Sequence, residues 1–171
     1  MMRFFIIALL VMMMSLDIPC VFANKNNQYS NHSSVTVLVF VSFSMPDESL
    51  VADLRDAKKL GASVVIRGLA NNSFKDTSRK MADLVKRAEG GGVNLNPLLF
   101  KKFHISQVPA VVVLPDETTC ADVKICPDTA FDVVYGDIPL RAAFEAIRDH
   151  GTVSEKRAEE LLDRIKEEPY A

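Results

Sequence analysis

A proline placed directly before a run of β-branched residues constrains the fold of this chain more than any other feature. Pro109 precedes the apolar run Ala110-Val111-Val112-Val113-Leu114. Proline has no backbone N–H, so it is excluded from the middle of a central strand but tolerated at its first residue. The continuous apolar run predicts a strand buried on both faces. The Val108–Pro109 bond is a candidate cis peptide, since the cis form costs little only before proline; a trans proline that merely begins the strand is the alternative.

Length and composition favour one globular domain and exclude several classes of partner. The 171 residues are 49% hydrophobic and 25% charged, with a net charge of -2, which suits a single domain with a sizeable core. No basic excess is present, so no nucleic-acid partner is predicted. His32, His104 and His150 show neither metal-ligand spacing nor a Ser-His-Asp arrangement. We therefore predict no catalytic residue, no metal site and no cofactor.

The first 23 residues have the pattern of a secretory signal peptide. Arg3 provides a positive start, residues 4–14 form a short apolar stretch, and Val21-Phe22-Ala23 suits a cleavage site. The stretch is too short for a comfortable membrane span. We expect cleavage after Ala23, export of the mature chain and no stable membrane span afterwards, with an uncleaved anchor as the alternative. Residues 24–34 are polar and are predicted to be a flexible lead-in.

Two cysteines remain after the predicted cleavage, Cys120 and Cys126. An even pair in an exported protein, separated by a short polar loop, predicts a disulfide that staples a hairpin. Two free thiols are the alternative.

Residues 35–150 are predicted to form one domain that starts with a β-α-β unit. Strands are expected at 35–43 and 62–69, because both runs are continuously apolar. The helix between them should end at Gly61, and a second helix, starting near Phe74, should end at Gly90-Gly91-Gly92. The crossover should leave the two strands parallel.

The second half of the domain is predicted to add a hairpin and more helices. A brief helix at 96–105 precedes the Pro109 strand, whose partner strand is expected at 131–135 and is followed by a helix through Ile147. Residues 151–171 should form an extra C-terminal helix, with Thr152-Val153-Ser154-Glu155 as a capping box. Its apolar stripe either packs on its own domain or is a docking surface. Together these elements predict an α/β fold with a central mixed sheet of about four strands flanked by helices.

This order of elements, with Pro109 beginning the third strand, resembles the thioredoxin-like fold. Met45-Pro46-Asp47-Glu48 occupies the position where redox members carry Cys-x-x-Cys, and Val108-Pro109-Ala110 resembles the cis-proline turn of periplasmic disulfide isomerases. No cysteine lies between Val21 and Thr119. Thiol–disulfide exchange needs an attacking thiolate, so oxidoreductase activity at this position is not expected.

Four further motifs resemble a narrower family. They are the segments at 40–46, 61–69, 103–110 and 135–140, and they are similar in sequence and order to the TrbC proteins, the pilin assembly proteins of F-type conjugative transfer systems. The resemblance runs from about Val35 to about Ile147. It implies a periplasmic accessory of a type IV secretion apparatus that is needed for pilus assembly, with a TraW-type protein as companion.

The thioredoxin-like arrangement, rather than the TrbC resemblance, predicts where a partner binds. The residue before a cis-proline in such a fold exposes backbone groups that can pair with an extended peptide. The partner-binding candidates are Ser44, Met45, Pro46, Arg67, Val108 and Pro109. In the alternative, Met45 and Val108 pack on each other and Pro109 only fixes the turn. Two other functions stay open: a thiol oxidoreductase that uses Cys120 and Cys126, and a periplasmic chaperone without a fixed partner.

Overall fold

The computed structural model of the chain describes residues 36–167. The predicted signal peptide at 1–23 and the lead-in at 24–34 lie outside the described residues.

A five-stranded mixed sheet forms the centre of the fold. Its strands are β1 (Val37–Val41), β2 (Ser63–Ile66), β3 (Val93–Leu95), β4 (Ala110–Val113) and β5 (Asp132–Tyr135). Their order across the sheet is β3-β2-β1-β4-β5. β1, β2 and β3 are parallel, whereas β4 runs antiparallel to both β1 and β5. The predicted parallel β-α-β unit, the hairpin and the mixed sheet are therefore confirmed.

Five helices flank this sheet within the described part of the chain. They are α1 (Asp47–Leu60), α2 (Phe74–Arg87), α3 (Pro97–Lys102), α4 (Leu140–His150) and α5 (Glu155–Glu167), and two short 3₁₀ turns lie at Ala70–Asn72 and Asp128–Ala130. α1 ends as predicted at Gly61, whose φ of 65° is a left-handed conformation that glycine adopts without a Cβ clash.

The prediction of about four strands was one strand short. β3 has only three residues, and its central Asn94 is exposed while its neighbours are partly buried. Its pairing with β2 makes it a strand, with Asn94 opposite Val65. Hydrophobic periodicity needs a longer run than this to distinguish a strand from a loop.

Two apolar layers cover the two faces of the sheet. Successive residues of a strand point to opposite faces, and all five residues of β1 are buried. Val39 packs in the layer formed with α1, α2, α4 and α5, whereas Phe40 packs in the layer of Phe100, Phe103 and Phe131. Burial on both faces is the reason that β1 is continuously apolar rather than alternating.

The C-terminal helix α5 packs on its own domain. Ala158, Leu161 and Leu162 are buried in the layer that contains α4. The docking alternative for this apolar stripe therefore does not hold.

The capping box predicted before α5 is wrong. The buried hydroxyl of Ser154 donates to the carbonyl of Val113 on β4 at 2.8 Å. The carboxylate of Asp132 on β5 instead accepts bonds from the backbone N–H groups of Thr152, Val153 and Ser154, at 2.9, 3.0 and 2.7 Å. A side chain from a neighbouring strand thus fixes the turn that leads into the helix.

Candidate functional site

Two loops at the carboxyl ends of β1 and β2 lie side by side, at the end of a parallel pair where α/β sheets commonly bind ligands. The loop after β1 is tight: the Ser42 and Ser44 hydroxyl oxygens are 3.0 Å apart, and the N–H of Met45 donates to the carbonyl of Ser42 at 3.1 Å. Pro46 then precedes the first helical residue of α1, and no side chain caps that helix.

A cleft of about 390 Å³ separates the two loops. It is lined by Ser42–Ser44, by Arg67–Asn71 and, from α2, by Lys80. We call it the Arg67 cleft. The Arg67 guanidinium lies over the ring of Phe100, 5.0 Å from its centroid, and the Lys80 ammonium lies 5.6 Å from the ring centroid of Phe43. Two cations held against aromatic faces therefore stand at this cleft.

Carboxylates occupy the N-terminus of α1, and α2 pairs with them. Asp47 lies 2.9 Å from the Lys80 ammonium and 3.5 Å from the Arg87 guanidinium, which is also 3.4 Å from Glu48. The hydrogen bond from Lys80 holds the pKa of Asp47 below its ordinary value, and the charges of Lys80 and Arg87 act in the same direction against slight desolvation. Acidic groups are favourable at this end of a helix dipole.

The Val108–Pro109 peptide bond is cis. The carbonyl of Pro109 accepts the N–H of Gly136 at 3.0 Å. Within residues 36–167, neither the N–H nor the carbonyl of Val108 has a hydrogen-bond partner. Continuing the β1–β4 register, in which Phe40 faces Ala110, brings Val108 opposite Ser42. Unpaired backbone groups thus lie beside the loop that leads into α1.

The structure brings some of the predicted partner-binding residues together and separates others. Ser44 and Arg67 line the same cleft, and Pro46 is exposed at the start of α1. Met45 is partly buried in the layer of α1 and α4, whereas Val108 is partly buried against the layer of Phe100. Met45 and Val108 therefore pack in different layers, on opposite faces of the sheet.

The structure also contains a second cleft, of about 240 Å³, that was not predicted from the sequence. The His104 Nδ1 and the Asp128 Oδ1 are 2.7 Å apart at its edge, and Phe103, Phe131, Val133 and Tyr135 complete its lining. The two polar residues are far apart in sequence, so no spacing pattern connects them.

The hairpin between β4 and β5 carries the disulfide that joins Cys120 to Cys126. Cys126 is buried, and its N–H donates to the carbonyl of Lys102 at 2.8 Å. Nearby, hydrogen bonds from the side chains of Thr118 and Thr119, together with their backbone N–H groups, lower the pKa of Asp116 to about 2.

The described residues hold no group of three or more His, Cys, Asp or Glu side chains that could bind a metal ion. None of the helices at 36–167 is long and apolar enough to cross a membrane.

These features define a mixed α/β protein with a polar cleft at the ends of β1 and β2 and with Cys120 and Cys126 joined in the β4–β5 hairpin. The family described as the type-F conjugative transfer system pilin assembly protein matches residues 39–147, and the chain belongs to this family. The periplasmic protein TrbC of Escherichia coli strain K12 is 32% identical over 114 residues, which are 67% of this chain and 48% of that protein. The chain thus spans about half the length of this curated relative. No solved structure matches the chain significantly.

Proposed function

We propose that this chain is a periplasmic assembly factor of an F-type conjugative secretion apparatus, required for pilus assembly, that acts by non-covalent binding. Membership of the pilin assembly family supports the general role, and the similar protein of Escherichia coli is named periplasmic. The observation that carries the proposed mode of action is the unpaired backbone of Val108 beside the start of α1, within the described residues.

A non-catalytic role is supported by the chemistry at the start of α1. Disulfide exchange requires a thiolate, which a helix N-terminus activates. This chain has Asp47 and Glu48 there, and no cysteine from Val21 to Thr119. Its paired cysteines lie in the β4–β5 hairpin, where Cys126 is buried.

We also propose that the fold is thioredoxin-like. The β1-α1-β2 crossover, the antiparallel β4–β5 pair and the position of Pro109 directly before β4 support it.

The proposed partner-binding surface consists of Ser44, Met45, Pro46, Arg67, Val108 and Pro109. An extended segment of the partner pairs with the backbone of Val108 and adds a short strand at this point. Main-chain pairing supplies affinity and neighbouring side chains supply specificity. The first candidate partner is a TraW-type protein of the same apparatus.

Affinity capture from periplasm tests this proposal. The mature chain, residues 24–171, serves as bait in cells that carry the transfer system, with thiols blocked at lysis. We expect recovery of a TraW-type or another transfer-system protein without mixed disulfides. Val108→Arg places a long cation across the pairing site and should reduce recovery about tenfold, equivalent to about 1.4 kcal/mol.

Ala82→Arg is the matched control, because Ala82 is exposed on α2. It should leave recovery unchanged, and both variants must unfold at the temperature of the wild type. Capture that is insensitive to Val108→Arg contradicts the binding mode. Recovery of many unrelated proteins favours a chaperone, and recovery through Cys120 or Cys126 favours an oxidoreductase.

A further inference from the structure

The Arg67 cleft has the chemistry of an anion site. Arg67 is exposed, and no carboxylate within the described residues pairs with it. Its guanidinium lies against the face of Phe100. A guanidinium held in this way is oriented by the ring and keeps its in-plane N–H donors available for a second, planar acceptor.

The remaining wall of the cleft offers further donors. The Ser42 and Ser44 hydroxyls bond each other, and a pair of hydroxyls needs only one hydrogen for that bond. Within residues 36–167, the second hydroxyl hydrogen and the backbone N–H groups of Gly68 and Leu69 meet no acceptor. Unpaired donors that line the same cleft as a cation favour a ligand that only accepts hydrogen bonds.

The charges at the Arg67 cleft favour a ligand that carries a single negative charge. Arg67 is uncompensated, whereas Lys80 is partly neutralised by Asp47 at 2.9 Å. None of the described residues that line the cleft carries a carboxylate. A monoanionic carboxylate matches this balance better than a phosphate, which carries nearly two charges at neutral pH.

The apolar wall favours a ligand that has a hydrocarbon stem. Phe43, Leu69 and Ala70 contribute to the lining, and Leu69 is 40% exposed. The volume of about 390 Å³ accommodates a side chain together with its flanking backbone. A partner segment that pairs with Val108 passes the loop at Ser42–Ser44, which forms one wall of the cleft.

We propose that the Arg67 cleft binds an acidic side chain, glutamate or aspartate, of the partner segment, with Arg67 as its main ligand and Lys80 as a second cation. This inference rests on the proposed function, because it names the chemistry of the segment that the partner-binding surface receives. The cleft then selects among extended segments that backbone pairing alone would accept equally.

A matched pair of blocked peptides tests the inference. One is an acetylated and amidated peptide of alternating valine and threonine with a central glutamate, and the other has glutamine in its place. Each is titrated into the isotope-labelled mature chain at about 0.15 M salt, where exposed charges are screened beyond about 8 Å. We expect the glutamate peptide to shift the amide resonances of Gly68 and Leu69 and to bind about tenfold more tightly than the glutamine peptide.

Arg67→Gln should abolish this preference for glutamate. Arg164→Gln should preserve it, because Arg164 is an exposed arginine on α5 outside the cleft. Equal affinity of the two peptides, or an absence of shifts at Gly68 and Leu69, overturns the inference. Tighter binding of inorganic phosphate than of the glutamate peptide does so too. In that case, a second measurement separates the two proposals. If the Arg67→Gln variant still captures a transfer-system protein from periplasm, the proposed function stands and only the acidic contact is wrong.

Discussion

Asp53 is an acid that the fold partly buries while leaving one of its oxygens unsatisfied. Its Oδ2 is buried and has no hydrogen-bond partner within the described part of the chain. Burial raises the pKa of Asp53 to about 7, and the negative charges of Asp137 and Asp56 act in the same direction. The ionised form of Asp53 therefore opposes folding near neutral pH, because a charge is costly to desolvate without a partner.

Asp53→Asn should stabilise the protein in a pH-dependent way. The folded pKa is raised above the unfolded value of about 3.8, so the stability linked to the neutral acid is fully present below about pH 4 and lost as the pH rises through about 7. We expect the substitution to raise the free energy of unfolding at pH 8 by about 1–2 kcal/mol, discounted for partial solvation. It should bring no gain at pH 4.

Urea denaturation at both pH values measures this difference. Asp163→Asn is the control, because Asp163 is exposed on α5 and its one ion pair among residues 36–167 is with Lys166. An equal gain for Asp53→Asn at pH 4 and pH 8 would contradict the argument from ionisation.

The partner-binding candidates illustrate what a sequence reveals at the scale of single residues. Arg67 could be named as a candidate because it follows the apolar run of β2, although a charge at the end of a strand is more often simply solvated. Lys80 was missed, since it reaches the cleft only after α2 has packed beside α1 and its side chain has paired with Asp47. The burial of Asp53 was missed because, in the sequence, an acid beside the apolar stripe of an amphipathic helix looks the same as an acid on the solvated face.

Asp132 connects two elements, since it lies on β5 and holds the turn before α5. Its carboxylate accepts three backbone N–H groups and the Thr152 hydroxyl, which donates at 3.1 Å. Partial burial raises the pKa of Asp132, but the hydrogen bonds from Thr152, Val153 and Ser154 outweigh it and hold the pKa below its ordinary value. The charged form is thus the one that the folded state needs.

Asp132→Asn should weaken the attachment of α5. Each carboxylate oxygen of Asp132 accepts two hydrogen bonds, and an amide has only one acceptor oxygen. At least two of the four donors therefore lose their partner, at a cost of about 2 kcal/mol at pH 7. Because the folded pKa is depressed, this contribution is present above the unfolded value of about 3.8 and lost as the pH falls through the folded value. The stability gap between wild type and variant should therefore narrow below about pH 4.

Chemical denaturation at pH 7 and pH 3 measures the difference in free energy of unfolding between the wild type and Asp132→Asn. Asp149→Asn provides the comparison, since Asp149 is exposed and, in the described part of the chain, its side chain bonds only Arg148. This substitution should change stability by less than about 0.5 kcal/mol. A gap of constant size down to pH 3 would show that the charge of Asp132 is not what stabilises the turn.

Most elements could be predicted because their signals are local. β1 and β4 are continuous apolar runs, and Gly61 marks the end of α1. β3 could not be predicted, since its three residues become a strand only by pairing with β2. The start of α5 was misassigned for the same reason, because the partners of Ser154 and of its N–H lie on β4 and β5.

At the scale of the whole molecule, the residues proposed to bind a partner and the two bonded cysteines lie in different places. The residues of the proposed partner-binding surface lie at the ends of β1 and β2 and before β4, whereas the disulfide lies in the hairpin that follows β4. The proposed assembly by binding alone therefore predicts that the chain works without Cys120 and Cys126. Loss of a disulfide across so short a loop costs about 2 kcal/mol by chain entropy, which lowers stability without touching the partner-binding surface.

The most direct test is pilus assembly in cells whose transfer system lacks this chain and is complemented with variants at matched periplasmic levels. Pili are counted and conjugative transfer is measured. We predict that the double variant Cys120→Ser with Cys126→Ala restores both to wild-type values, as Ala82→Arg does, whereas Val108→Arg restores neither. Failure of this double cysteine variant, together with full activity of Val108→Arg, would contradict assembly by non-covalent binding and indicate thiol chemistry.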